Sequence, residues 1–370
     1  MLAIMALISS AFLAFANGAN DNFKGVSTIY GSNLASFRMS LVWATITTFA
    51  GSALAFLLAG DLITSFTGKG LVPDDIFSDK AFPLSVALAT AATVLLASRF
   101  GLPVSTTHAL TAALIGASIL GATGVNSSRL GALFLFPLLL SPVVAFSLTA
   151  SALAIVRATK GNSPSNAACL CVSAGVKTDA IPASVLQVQT AIITPPQLFA
   201  GNITDLACVQ SQVQVTTRSI PQVLHFLSAG LVSFARGLND TPKIAAILIA
   251  SGGVTQHHAL IGVGIFIAIG GWLYSRRVAE TMAHKITPMS ETGGLTANII
   301  TAALVIGASR LGIPVSTTHV STGAIFGIGA MSGKLQWKTL RSIALAWLTT
   351  LPIAALLSAI TFTILRKIIA

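Results

Sequence analysis

The sequence predicts an all-α polytopic membrane protein of two inverted-topology repeats, each with a broken helix, two spanning helices and a re-entrant helical hairpin. Three observations carry this. First, 54% of the 370 residues are hydrophobic and 8% charged, with mean hydropathy +0.85. A soluble domain is charged at about a quarter of its positions, and this chain lacks the polar groups to solvate a surface of that kind. Second, Gly101-Leu102-Pro103-Val104-Ser105-Thr106-Thr107-His108 recurs as Gly312-Ile313-Pro314-Val315-Ser316-Thr317-Thr318-His319. Third, Gly18-Ala19-Asn20-Asp21 followed by Lys24 recurs as Gly237-Leu238-Asn239-Asp240 followed by Lys243. Two motifs, once per half and in the same order, mark an internal duplication.

Taken in order, residues 2–16 are apolar, and no Lys or Arg precedes them as in a secretory leader. They read as half of a membrane helix. Fifteen helical residues rise about 22 Å, short of a hydrocarbon core about 30 Å thick. The interruption at 17–22 therefore falls inside the membrane, as in a discontinuous helix. Residues 39–60 form a span, and the polar stretch 61–81 reads as an exposed loop. The apolar arms 82–97 and 104–120 meet at the first Ser-Thr-Thr-His. There Pro103 ends the preceding hydrogen-bonding pattern and Ser105 stands at a helix N-cap. A re-entrant hairpin or two full spans with a tight turn both fit. Residues 130–156 give a long span kinked near Pro142.

The second half repeats the plan. Residues 220–236 lead into Gly237-Leu238-Asn239-Asp240, then 242–251. A span at 258–274 and an amphipathic stretch at 276–291 follow, then arms at 294–309 and 315–331 and a last span at 340–365. The expected domains are an N-terminal transmembrane repeat at 1–157, a linker at 158–218 and a C-terminal inverted repeat at 219–370. The linker is rich in Ser, Thr, Gln, Asn and Pro, with a strand-like alternation at 185–189. Three cysteines (Cys169, Cys171, Cys208) are too few for a disulfide framework and read as ordinary thiols.

Net charge is +11. In a membrane protein such an excess marks cytoplasmic loops, and no basic run with interleaved aromatics supports nucleic-acid binding. Three crossings per half, with the hairpin adding none or two, reverse the second half. Most Lys and Arg then fall on the linker side. This puts the linker in the cytoplasm and both termini outside a plasma membrane.

Charges at membrane depth are costly and rarely idle. Asp21, Lys24, Arg99, Asp240, Lys243 and Arg310 all sit at breaks in apolar segments. Arg99 and Arg310 either compensate a bound anion or snorkel to the interface. Ser105-Thr106-Thr107 and Ser316-Thr317-Thr318 combine hydroxyls with the unpaired N–H groups of a helix start, which together make an anion pocket. Two such tips facing one another would wrap a tetrahedral oxyanion. His108 and His319 orient a hydroxyl or bond a neighbouring helix.

These segments resemble the inorganic phosphate transporter family (PiT). The resemblance rests on the doubled Pro-Val-Ser-Thr-Thr-His and on Gly18-Ala19-Asn20-Asp21, the start of that family's Gly-Ala-Asn-Asp-Val-Ala-Asn-Ala phrase. It covers both halves and not the linker. The resemblance implies a secondary transporter moving inorganic phosphate by alternating access, coupled to Na+ or H+. It assigns Asn20, Asp21, Asn239 and Asp240 to the coupling cation, with Na+ at Asp21 and Asp240. It assigns Ser105, Thr106, Thr107, Ser316, Thr317 and Thr318 to phosphate. No other cofactor is implied. Lipid surrounds the chain, and a homo-oligomer is left open.

One departure stands out. Where the family's phrase has its second Asn, this chain has Lys24 and Lys243. An amide oxygen ligates sodium, whereas an ammonium has no acceptor. The lysines are expected to act as built-in cations beside Asp21 and Asp240, weakening sodium dependence or replacing it with proton coupling. The competing readings are a transporter of another oxyanion such as sulfate, an anion channel, and an intramembrane hydrolase using Ser105, His108 and Asp21. The hydrolase gives no reason for a duplicated set.

Overall fold

The computed structural model describes residues 2–66, 72, 76, 79–121, 124–159, 168–176, 193–202, 213–216, 219–250 and 254–369. They divide into two compact units, Met1–Arg157 with His225–Ala370, and Ala158–Leu224. The smaller unit contains a three-stranded antiparallel sheet. Its central strand β1 (Ala168–Val176) pairs with β2 (Ile193–Asn202) and β3 (Val213–Thr216). The all-α class describes the membrane unit, and these strands are an addition within the linker. Cys169 and Cys171 lie on β1; Cys208 and the alternation at 185–189 lie outside the described residues.

The first half of the larger unit contains α1 (Leu2–Asp21), α2 (Ser27–Gly31), α3 (Phe37–Leu58), α4 (Gly60–Phe66), α5 (Ala81–Arg99), α6 (Thr106–Leu120) and α7 (Phe136–Thr159). The second contains α8 (Ser219–Ala250), α9 (Gln256–Tyr274), α10 (Glu291–Arg310), α11 (Thr317–Ser332) and α12 (Trp337–Ile369). Among the described residues, six helices are long and apolar enough to cross a membrane: α3, α5, Ser127–Thr159, α9, α10 and α12. Large side chains such as Leu57, Leu273 and Leu348 point outward, as lipid-facing positions must.

The two signature helices differ. α1 ends at Asp21, and a 3-10 turn at Lys24–Val26 leads into α2. The break thus falls at 22–26, at the far end of the expected 17–22 interruption and beyond it. α8 runs unbroken from Ser219 to Ala250 with Pro242 inside it, which corrects the expected second break. After Lys24 comes Gly25-Val26-Ser27, poor helix-forming sequence; after Lys243 comes Ile244-Ala245-Ala246, which propagates a helix well.

Residues 61–81 are also not a simple loop. α4 begins at Gly60 and buries Leu62, Ile63 and Phe66, and Ser65 Oγ donates to the Gly312 carbonyl at 3.2 Å. Each hairpin turns on a left-handed glycine, Gly101 (φ +69°) or Gly312 (φ +64°). The following amides close back at 3.0 Å from Leu102 to Ala97 O and 2.9 Å from Ile313 to Ala308 O. This reversal suits glycine because it has no Cβ to clash. Ser105 and Ser316 then cap α6 and α11 by accepting from His108 N (3.0 Å) and His319 N (3.2 Å).

Rather than packing as separate bodies, the halves interlock. A Cβ at Gly18 of α1 would meet Ile267 O of α9 at 1.9 Å, and one at Gly237 of α8 would meet Thr48 O of α3 at 2.1 Å. Gly116 of α6 lies as tightly against Ala355 of α12, and Gly323 of α11 against Pro142 of α7. Backbones meeting at small residues are how helices bind in lipid, where burial of apolar surface supplies no drive. Both signature glycines are therefore contacts between halves. Gly18→Ala is expected to lower stability in detergent by about 1–3 kcal/mol through forced separation of α1 and α9. Gly262→Ala, with nothing within 4 Å of its would-be Cβ, is expected to leave the thermal midpoint unchanged.

Candidate functional site

The interlock brings the two Asn-Asp motif segments and the two hairpin tips into one buried polar cluster. Asp21 (1% exposed), Lys24 (3%), Asp240 (3%) and Lys243 (2%) lie in it with Asn20, Asn239 and the four threonines Thr106, Thr107, Thr317 and Thr318. Lys24 lies three residues beyond Asp21, and Lys243 three beyond Asp240, so each lysine lies near its own aspartate on a helical turn.

The contacts of the two lysines match, repeat for repeat. Lys24 Nζ pairs with Asp21 Oδ1 and donates to the carbonyl of Val104 (2.8 Å) in its own half. It also donates to Thr318 Oγ1 (2.7 Å) of the other hairpin. Lys243 Nζ lies 3.7 Å from Asp240 Oδ1, and donates to Val315 O (2.6 Å) of its own half and Thr107 Oγ1 (2.8 Å) of the other. The hydroxyls follow the same rule. Thr106 Oγ1 donates to Asp21 Oδ2 at 3.0 Å and Thr317 Oγ1 reaches Asp240 Oδ2 at 3.4 Å. Asn20 Nδ2 donates to Ser98 Oγ (2.9 Å), while Ser309 Oγ donates to Asn239 Oδ1 (3.2 Å).

Each ammonium thus sits among a carboxylate, a main-chain carbonyl and a threonine oxygen. Oxygens of these kinds are what a sodium or calcium ion gathers. The donor set fits a monovalent cation, and a covalently attached one occupies it at both repeats. The aspartates are tied to lysine, amide and hydroxyl groups, and Lys24 additionally donates to Asn20 Oδ1 (2.6 Å), the one of these bonds without a counterpart at Lys243 among the described residues.

Not every candidate belongs here. Arg99 and Arg310 are exposed in the last turns of α5 and α10, which removes them from the charge-compensating set. Ser105 and Ser316 spend their oxygens on caps, leaving Thr106, Thr107, Thr317 and Thr318 as the hydroxyls that face the cluster. His108 and His319 pack edge-to-face with ring centroids 4.3 Å apart, and neither has a bonded Nδ1.

Two participants escaped the motif reading. Asn17 Nδ2 bridges Asp21 Oδ2 (2.9 Å), Thr106 Oγ1 (3.0 Å) and Asp240 Oδ2 (3.4 Å). Arg236, only 1% exposed, donates from Nη1 to Asn17 Oδ1 (3.2 Å) and from Nη2 to Asn22 Oδ1 (3.3 Å). Asn17 and Arg236 directly precede Gly18 and Gly237, so they are repeat partners that bond one another. Extending the repeat one residue upstream would have exposed the pair. Among the described cluster residues, three cations (Lys24, Lys243, Arg236) face two carboxylates (Asp21, Asp240), a surplus of one positive charge.

A buried, duplicated cluster with surplus positive charge between interlocked membrane helices defines a membrane protein with a central polar site suited to an anion. The model of the phosphate transporter family matches residues 17–358, and the chain belongs to that family. A Thermococcus kodakarensis protein named as a phosphate permease is 30% identical, over 98% of this chain and 97% of its own. The chloroplastic inorganic phosphate transporter 2-1 of Arabidopsis thaliana is 27% identical, over all of this chain and 73% of its own. A solved structure described as the sodium-dependent phosphate transporter shares the fold with TM-score 0.76 at 21% identity, covering 99% of both chains. The chain is a multi-pass integral membrane protein of a transporter family, which sets the hydrolase reading aside.

Proposed function

We propose that this protein carries inorganic phosphate across the plasma membrane by alternating access, taking the monovalent dihydrogen phosphate ion and needing no sodium. The observation that supports it is the matched seating of Lys24 and Lys243 in oxygen-lined positions, with Arg236 adding the surplus charge. Dihydrogen phosphate makes the loaded cluster electrically neutral, so it crosses at least electrostatic cost. Its hydroxyls donate to Asp21 and Asp240, and its other oxygens accept from the lysines, the threonines and Arg236. Fully ionised sulfate offers those carboxylates no proton and is repelled.

Selecting the protonated anion is itself proton coupling, because each phosphate carries its proton across. The two halves run in opposite directions through the membrane, with the 158–218 linker in the cytoplasm and the termini outside. The test is uptake of labelled phosphate by proteoliposomes under separately imposed sodium and pH gradients. Accumulation is expected with an inwardly directed proton gradient and no sodium, without competition from sulfate. A strict sodium requirement would refute the reading.

A further inference from the structure

The repeats diverge along one seam outside the cluster. Ser9 Oγ donates to the carbonyl of Ala6 at 3.1 Å, and its repeat partner Ser228 Oγ donates to that of His225 at 2.9 Å. This shared bond fixes the comparison. Where the first set has Ala6, Ala87 and Ile247, the other has His225, Asn298 and Thr28. Ala6 (3% exposed), Ala87 (0%) and Ile247 (1%) all lie in the same apolar core. Their counterparts are joined by polar contacts: Thr28 Oγ1 donates to Asn298 Oδ1 (3.0 Å), and Asn298 Nδ2 donates to Ser228 Oγ (3.1 Å).

His225 is fully buried with neither ring nitrogen bonded. It fits only because Gly294 lacks a side chain, since a Cβ there would lie 2.2 Å from Nε2. In the other repeat Gly293-Gly294 is replaced by Phe82-Pro83. Buried polar atoms without partners are rare in proteins and call for an explanation. The seam starts near the beginning of α8, where the chain enters the bundle from the linker. Thr28 lies four residues from Lys24, one helical turn from the cluster. Glu291 stands in the first turn of α10, three residues before the Gly294 that the ring packs against, so the chain offers an imidazole and a carboxylate near the start of that helix. Dihydrogen phosphate, which both donates and accepts, bonds with either.

We propose that Thr28, Ser228, Asn298 and His225 line the linker-side passage of phosphate, and that Ala6, Ala87 and Ile247 form the sealed counterpart on the opposite side. The proposal rests on the phosphate-transport reading. A nonpolar contact reforms as a dry seal, whereas hydroxyl, amide and imidazole groups re-pair with a passing oxyanion as their mutual bonds open.

The test uses the full chain with Cys169, Cys171 and Cys208 replaced by Ser, in vesicles of known orientation that take up phosphate. A membrane-impermeant thiol reagent is applied to Asn298→Cys from the linker face and to Ala87→Cys from the opposite face. Labelling of Asn298→Cys is expected to be at least about tenfold faster, and slowed at least about fivefold by inorganic phosphate but not by sulfate. Ser228→Cys replaces Asn298→Cys where the latter fails to insert. Equal rates at the two faces overturn the proposal. So does absent linker-face labelling at both Asn298→Cys and Ser228→Cys in vesicles that accumulate phosphate. Absence of uptake by the unmodified chain instead overturns the transport reading, and this one with it.

Discussion

Replacing Lys24 and Lys243 together by asparagine is expected to turn phosphate uptake from sodium-indifferent to sodium-dependent. Each lysine is buried beside an aspartate and donates to a main-chain carbonyl and a threonine hydroxyl. At about 4 Å and an effective dielectric near 20, each such pair is worth on the order of 4 kcal/mol before desolvation. Removing one partner of a buried pair destabilises by about 3–5 kcal/mol, because the carboxylate is left without a counter-charge. Asparagine provides a neutral oxygen in the vacated space, and a sodium ion can then complete the set. The double variant is therefore expected to unfold at a lower temperature in potassium buffer. Sodium should restore it, since a ligand that binds only the folded state stabilises by mass action. Uptake and thermal midpoint should then rise together with sodium concentration. A double variant with parental stability and no sodium response would show the lysines to be bystanders.

Arg236→Asn is expected to weaken phosphate uptake at least about tenfold at subsaturating phosphate by making the two halves alike at the position paired with Asn17. The change removes the surplus positive charge and both guanidinium bonds, to Asn17 and Asn22. Hydrogen bonds from a charged group contribute about 1.5–3 kcal/mol each. A bond of that strength lost to the phosphate itself would lower affinity about tenfold at the lower end and roughly a hundredfold at the upper. Arg236→Lys retains the charge but not the planar fork, and is expected to recover binding at higher phosphate concentration without full maximal rate. Phosphate-induced thermal stabilisation separates these effects. Arg236→Asn should show little, whereas Arg236→Lys should show it at a raised midpoint. Equal loss in both variants would mean that orientation of Asn17 and Asn22, rather than charge, is what Arg236 supplies.

The membrane class, the duplication, the hairpins and most of the cluster were legible in the sequence because each is a local or repeated property. Apolar length sets the spans, and Pro103 and Pro314 followed by Ser105 and Ser316 set the turns and caps. Asp21, Lys24 and their repeats were visible because a charge within an apolar run has no inexpensive place in lipid. Other features lie beyond sequence pattern. The second motif sits within an unbroken helix, α4 packs on the C-terminal hairpin, Arg99 and Arg310 take the outward-facing of their two alternatives, and Asn17 and Arg236 lie within the cluster. Each depends on which surface another part of the chain covers, and no periodicity encodes that.

By itself, then, the sequence determined that two copies of one membrane-embedded unit exist and which residue types each contributes to an oxyanion and its counter-charges. Only the tertiary structure decided their pairing. Lys24 reaches Thr318 and Lys243 reaches Thr107 across the repeat boundary, and Arg236 meets Asn17, its own counterpart. The physical reason is the close contact of backbones at Gly18, Gly237, Gly116 and Gly323. It locks each half's helices against those of the other, so the site exists only once both copies have folded around one another.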